Sequence, residues 1–348
     1  MRRSLPWVSL AMGCAVLGVA SWLAHAGDLN PPPGPVQPTM KTLTEVEPRI
    51  AVQTLAGDAE AVHVIGTAGS YYLTANITGQ AGKHGIKIMA HGVTLDLNGF
   101  ALIGVPGSQH GVFVSAPGYT NVSVRNGSVR SWAGAGLHCE NTSNCRIDGV
   151  LAADNGTGGN GSGILVGSSS SVVRCSSRGN GTRGIVGQRS VLVEGCTVES
   201  NASHGIDVSG ESLIVNCTVK GNAGVAGILV GYSCTVTGCV VSSNVGSGDF
   251  GNGILVNGSE NRIENNLCVS NQTAGIRVQG QGNRLEANHV QSNARGFHVT
   301  APGSLIIRNS AQWNSIKNYE VVPDNTFGPI VNKDNVATSC NPHANYEP

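Results

Sequence analysis

The stretch GIRVQGQGNRLEANHVQSN (Gly275–Asn293) decides the fold. Its apolar residues fall in three short runs, at Ile276 and Val278, at Leu285 and at Val290, separated by Gly, Asn and Ser. Alternation with a period of two marks strands, and Gly/Asn clusters mark turns. The phrase recurs upstream as CTVESNASHGIDVSG (Cys196–Gly210) and CTVKGNAGVAGILVG (Cys217–Gly231). Taking the Gly before the first run as anchor gives Gly85, Gly111, Gly136, Gly163, Gly184, Gly205, Gly227, Gly253, Gly275 and Gly296. The steps are 26, 25, 27, 21, 21, 22, 26, 22 and 21 residues, so the base period is 21–22 with a few longer turns. Asn318 takes the Gly place in a last copy.

Each column of the repeat holds one chemical type. The residue after the Gly is Val112, Leu137, Ile164, Ile185, Ile206, Ile228, Ile254, Ile276, Phe297 or Tyr319. A second strand carries Ile147, Val172, Val193, Ile214, Val236, Ile263, Leu285 and Ile306, and a third Ala152, Ser177, Val198, Val219, Val241, Cys268, Val290 and Ala311. One copy cannot bury its apolar face, whereas copies stacked about 4.8 Å apart can. The expectation is an all-β parallel solenoid with three parallel sheets and roughly ten to eleven coils.

Gly-Ile-x-Val followed by Asn-x-Ile-x-Asn-Asn spacing, with the opening VTLDLNGFALIG (93–104), resembles the right-handed parallel β-helix repeat proteins of the pectate-lyase-like superfamily. The resemblance covers about residues 60–322 and implies a right-handed solenoid. It does not imply one activity, because the fold hosts lyases, hydrolases, epimerases and adhesins.

Outside the repeat, Arg2 and Arg3, the apolar Leu5–Leu23 and Ala24-His25-Ala26 read as a signal peptide cleaved after Ala26, giving a secreted, periplasmic or cell-surface protein. An uncleaved anchor is the alternative. No other apolar run could span a bilayer. Residues 27–41 form a Pro-rich linker. Thr42 and Glu45 fit a capping box, which predicts a short capping helix near 42–52 within a lead-in to residue 59. Residues 60–322 are the β-helix and 323–348 a C-terminal tail. Zero net charge and only 12% charged residues exclude a nucleic-acid partner.

The Asn column (Asn155, Asn180, Asn201, Asn222, Asn244, Asn271, Asn293, Asn314) reads as turn residues tolerant of left-handed backbone. Five residues before it stand Cys175, Cys196, Cys217 and Cys239, then Asn266, Asn288 and Asn309. In the resembling family this second position holds stacked Asn. The four Cys read as buried, stacked thiols, with one or two disulfides after export, or metal binding, as alternatives.

Function must use outward residues or loops. The outward stripe of the first strand reads Lys87, Phe113, His138, Leu165, Val186, Asp207, Leu229, Leu255, Arg277, His298 and Glu320. Two long turns precede that sheet, NGTGGNGSG (155–163) and NVGSGDFGNG (244–253), and are expected to wall a groove. Between them Arg183, His204, Asp207 and Leu229 are the candidate ligand-binding residues. The competing readings are the tail folded over the apolar stripe, or an oligomer contact. His204 itself is expected to be a solvated turn residue. A column of Asp148, Glu194, Glu264 and Glu286 with Arg146, Arg262 and Arg284 reads as a surface ion-pair checkerboard.

No catalytic residue is assigned. The resembling enzymes use a Ca²⁺ carboxylate cluster with a basic residue, paired carboxylates, or Asp-Pro-His-Asp, and this chain carries none of these patterns. The expected function is therefore polysaccharide binding or a structural role at the cell envelope, with no cofactor. The alternative is a polysaccharide lyase or epimerase with a divergent groove, for which alone Ca²⁺ would be expected.

Overall fold

The computed structural model describes residues 47–115 and 118–348. The signal peptide, the linker and the start of the expected helix lie outside them. Where that helix was to end, Ile50–Ala51 is a strand and Val52–Thr54 a single 3-10 turn.

From Arg49 the chain is a parallel solenoid. A twelve-stranded sheet, sheet 1, runs from Ala61–Ile65 through Ile185–Arg189, Ile206–Gly210 and Ala226–Tyr232 to Lys317–Val321. Its strands pair in register coil by coil, as in Ile185↔Ile206↔Ile228↔Ile254. The second and third strand columns form one 24-stranded hydrogen-bonded sheet. They count as one because Ser123–Arg130 and Arg146–Ala153 run through both faces. Within these strands Asn126 (φ 57°) and Gly149 (φ 62°) turn the corner, so two main parallel sheets stand where three were expected, the larger one carrying two strand columns. The solenoid has about 13 coils, more than expected. Strands before Gly85 and in the tail add coils that the glycine column does not mark.

The corners differ from the sequence expectation in one respect. The left-handed residue is not the ladder Asn but the residue before it. Ser200 (φ 56°) precedes Asn201, and Ser243 (φ 55°) precedes Asn244. Likewise Arg174 (φ 52°) precedes Cys175, and Ser190 (φ 58°) precedes Val191 at the remaining corner. The bend residue points to solvent and the next one points in, where it must satisfy buried backbone.

The Asn do so as a ladder. Asn180 Nδ2 donates to Asn201 Oδ1 (2.8 Å), and Asn201 Nδ2 donates to Asn222 Oδ1 (2.9 Å). The same Oδ1 atoms accept the backbone N–H of the preceding rung, as Asn201 Oδ1 does from Asn180 (3.1 Å). The ladder explains the glycine column. A Cβ on Gly184 would lie 2.8 Å from Asn201 Nδ2 and 2.7 Å from the Gly205 carbonyl. At its N-terminal end Trp132 replaces Asn as the inward residue, and its ring fills the space beside Gly79 and Gly85.

Cys175, Cys196, Cys217 and Cys239 are buried free thiols. Each Sγ donates to the carbonyl two residues earlier, at 3.3–3.4 Å. Hydrogen bonding between stacked neighbours, then burial, pushes the Cys196 and Cys239 thiols up. Cys139, Cys145, Cys234 and Cys268 are buried too, and Cys340 is exposed.

The tail does not cover the stripe of sheet 1. Thr326–Phe327 and Asn345–Glu347 extend the second and third strand columns. Asn345 continues the Asn266–Asn288–Asn309 ladder, its Oδ1 accepting from Asn309 Nδ2 (3.2 Å). The stacked rings of Phe297 and Tyr319, with centroids 5.2 Å apart, fill the last coils of the core. The tail is the end cap. No helix among the described residues is long and apolar enough to cross a membrane.

Candidate functional site

Sheet 1 presents its outward stripe in register. Val186, Asp207 and Leu229 are direct cross-strand neighbours, and Arg183 and His204 stand in the turns before the same strands. The structure therefore brings the four candidate residues together. Arg183 Nε lies 3.3 Å from Asp207 Oδ2. Burial raises the Asp207 pKa, against the pull of Arg183 and His204. His204 is not solvated as expected but buried, because the next coil crosses directly over it at Gly224. Burial lowers its pKa, and its Nδ1 has no hydrogen-bond partner.

The two long turns do not wall this group. The first leans toward the N-terminal coils, with Gly158 N–H donating to the Ala133 carbonyl (3.3 Å). The second leans the other way. Gly246 N–H donates to Gln272 Oε1 (3.1 Å), and Asp249 Oδ2 lies 3.1 Å from Arg277 Nη2.

Further toward the N-terminus the same face carries an aromatic cluster. The rings of His84 and Phe113 stack at 4.2 Å, and those of His110 and His138 lie 4.5 Å apart. The backbone N–H of His110 donates to His84 Nδ1 (3.1 Å), and that of Ala135 to His110 Nδ1 (2.8 Å). Both imidazoles therefore carry their proton on Nε2. Burial brings their pKa values down to about 4 and about 3, so both are neutral near pH 7.

Charge on this face is internally matched. Lys87 lies 2.6 Å from Glu60, Arg183 pairs with Asp207, Arg277 with Asp249, and Arg295 with Glu320 (2.5 Å). On the second strand column the checkerboard forms as expected. Arg262 meets Glu264 at 2.6 Å, Arg284 meets Glu286 at 2.7 Å, and Arg308 meets Glu286 at 2.9 Å. Hydrogen bonding from Arg284 holds the Glu286 carboxyl low, so no proton-donating carboxylate arises there.

One pattern was not visible in the sequence. Among the described residues, five buried side-chain polar atoms lack a hydrogen-bond partner: His138 Nδ1, His204 Nδ1, Asn252 Oδ1, Arg277 Nε and His298 Nδ1. All five belong to the outward stripe of sheet 1 or to the turn that enters it. Such atoms each cost about 1–3 kcal/mol and are rare in folded proteins.

Register and repeat together define the class: the chain is a right-handed parallel β-helix repeat protein. The profile described as "Right handed beta helix region" matches residues 110–250. A second profile, "Periplasmic copper-binding protein (NosD)", matches residues 206–335. No curated protein matches the chain significantly. Similar solved structures include the mannuronan C-5 epimerase AlgE4 A-module of Azotobacter vinelandii, with 16% identity, 69% of this chain and 91% of that one covered, and TM-score 0.44. The periplasmic alginate epimerase AlgG matches at 13% identity, covering 77% and 82%, with TM-score 0.45. The surface adhesin PfbA of Streptococcus pneumoniae matches at 9% identity, covering 78% and 91%, with TM-score 0.38.

The donor set does not fit the copper in the second profile's description. Among the described residues no three His, Cys, Asp or Glu side chains are grouped to hold a metal. The ladder thiols are buried in hydrogen bonds to carbonyls. In His84 and His110 the Nδ1 lone pair is already taken, and Nε2 carries the hydrogen.

Proposed function

We propose that the chain is exported and binds polysaccharide along the outer face of sheet 1, as a binding or envelope module without catalytic turnover. The observation that carries the reading is the stack of half-buried rings on that face, His84, Phe113, His110 and His138 with neighbouring centroids 4.2–5.5 Å apart, a polar-edged platform on which a sugar ring can pack. Nδ1 of His84 and of His110 accepts a backbone N–H, so both imidazoles carry an Nε2–H donor beside the apolar ring surface. Export is supported by the Arg2–Ala26 segment and by the periplasmic description of the profile matching residues 206–335. Arg183, His204, Asp207 and Leu229 form the middle of the face. Arg183, and not His204, is the ion-pair partner of Asp207, which favours a binding role for this part of the face.

The test is a polysaccharide array on residues 27–348, read for retention and for ultraviolet-absorbing unsaturated product, with and without Ca²⁺. Retention without product, weakened by His204→Ala and Asp207→Ala, is the expected result. New absorbance from an unsaturated sugar would replace this reading with a lyase.

A further inference from the structure

Away from sheet 1, a cleft opens where the end cap meets the second strand column. On the strand Leu305–Ile307, the positions of Arg284 and Glu286 are taken in register by Leu305 and Ile307. Ile306 between them points into the core, so both neighbours point outward and apolar surface follows the ion-pair checkerboard. The tail leaves this column at Gly328, whose N–H donates to the Ile306 carbonyl (2.9 Å). It is pinned again on its return. Arg308 Nε donates to the Pro342 carbonyl (3.0 Å), and the Asn345 N–H donates to the Pro329 carbonyl (2.9 Å). Loop and strand enclose a cleft of about 380 Å³ that is open to solvent and floored by Leu305, Ile307, Phe327 and Pro329. That volume lies in the range of small-molecule sites.

The rim of the cleft carries Arg284 and Asn341, and both offer donors. Arg284 Nε and Nη2 each meet Glu286 Oε2 at 2.7 Å, which leaves Nη1 without a partner. Arg308 Nη1 takes the other oxygen of the same carboxylate at 2.9 Å. Two guanidinium groups thus share one carboxylate, and one positive charge is left unmatched. Asn341 Oδ1 accepts the His343 N–H (2.8 Å), which fixes the amide and leaves Nδ2 as a donor without a partner. Asn341 is exposed and the Arg284 side chain is 42% exposed, so a ligand can reach both.

We infer that this cleft binds a small amphipathic carboxylate. Its apolar body lies on the Leu305 floor, and its single anionic group accepts from Arg284 Nη1–H and Asn341 Nδ2–H. An ammonium group would meet the excess positive charge and no free acceptor. A neutral alcohol could accept from the same donors but would leave the charge unmatched. The site lies on a different face from the glycan platform and does not depend on it.

The experiment titrates the mature chain, residues 27–348, by calorimetry with benzoate, benzyl alcohol and benzylammonium, which share one ring and differ in charge. Two variants accompany it. Arg284→Gln removes the excess charge and leaves Glu286 paired with Arg308. Asn341→Asp keeps the acceptor for the His343 N–H and replaces the Nδ2 donor by an oxygen. Thermal melts verify folding; Asn341 stands in an exposed loop, so that variant decides if Arg284→Gln does not fold. The expected result is benzoate bound with Kd of about 1 mM, about tenfold tighter than benzyl alcohol, with benzylammonium unbound. Each folded variant should weaken benzoate about tenfold. No binding of benzoate by the wild type, equal binding of benzoate and benzyl alcohol, preference for benzylammonium, or benzoate binding unchanged in the folded variants overturns the site. None of these outcomes touches the glycan reading, which the array tests on sheet 1.

Discussion

Replacing Asn201 by Ala tests the force that stacks the coils. Asn201 takes part in four side-chain hydrogen bonds. Its Oδ1 accepts from Asn180 N (3.1 Å) and Asn180 Nδ2 (2.8 Å), and its Nδ2 donates to Ser177 O (3.2 Å) and Asn222 Oδ1 (2.9 Å). Asn180 Nδ2 keeps other acceptors at Ala152 O and Ser177 Oγ, and Asn222 Oδ1 keeps the Asn201 N–H. The Asn180 backbone N–H has no other acceptor in the ladder and is buried, so its loss costs about 1–3 kcal/mol. The other three bonds contribute about 1 kcal/mol each, for a total near 5 kcal/mol. Asn314, on the half-buried last rung, provides the control: water can replace its partners, so Asn314→Ala should cost about half as much. The assay is urea unfolding with native-state hydrogen exchange. A solenoid is held by nearest-neighbour contacts, so protection should fall first over residues 177–222. A loss below about 1 kcal/mol at Asn201, or equal losses at 201 and 314, would refute the ladder as a stabilising element.

The same geometry makes Gly205→Ala costly, by about 3 kcal/mol, because its Cβ would sit 2.7 Å from the Gly227 carbonyl and 2.8 Å from Asn222 Nδ2. Gly66→Ala has nothing within 4 Å and should leave the thermal midpoint nearly unchanged. The stacked imidazoles predict acid sensitivity. Their folded pKa values of about 4 (His84) and about 3 (His110) lie below the ordinary 6.5, so the unfolded chain takes up protons first as pH falls. Their contribution is complete above pH 6.5 and is lost on acidification toward pH 4 and then pH 3. Urea midpoints should fall over that window, and His84→Gln with His110→Gln should flatten the profile. Alkylation of the mature chain should label only exposed Cys340 under native conditions and all nine described thiols after unfolding, by intact mass. A shortfall after unfolding means that disulfides form on export.

The period, the three strand columns and their core residues were legible because stacking repeats one environment every coil. Ile185, Ile206, Ile228 and Ile254 occupy the same site, so each copy testifies for the others. The bend residues were misread because their backbone demand is weak on identity. Ser, Gly, Arg, Ala and even Trp313 (φ 54°) stand there, since the side chain points to solvent and only a modest left-handed cost must be met. The N-terminal and tail coils were missed because Trp132 and Asn345 close the ladders by different means from the repeat between them.

The site was half legible for a related reason. Columns show what the rod needs in order to stack, so a ligand must be read from residues that leave their column. Arg183 and His204 do so, and they do meet Asp207, but the ion pair leaves Arg183 already matched. Asn252 also departs, standing between Ala226 and Ala274 in the column before the anchor Gly, as Arg277 does beside Leu255. Both departures were present in the sequence. Their importance was not, because it depends on one carbonyl. Asp249 lies in the long turn, and only its folded path brings that oxygen to both Asn252 Nδ2 and Arg277 Nη1. It fixes both groups, and Asn252 Oδ1 and Arg277 Nε–H are each left without a partner in the protein. In a stacked fold the repeat accounts for stability, and the residues that depart from it are explained by the folded path of the loop that crosses them.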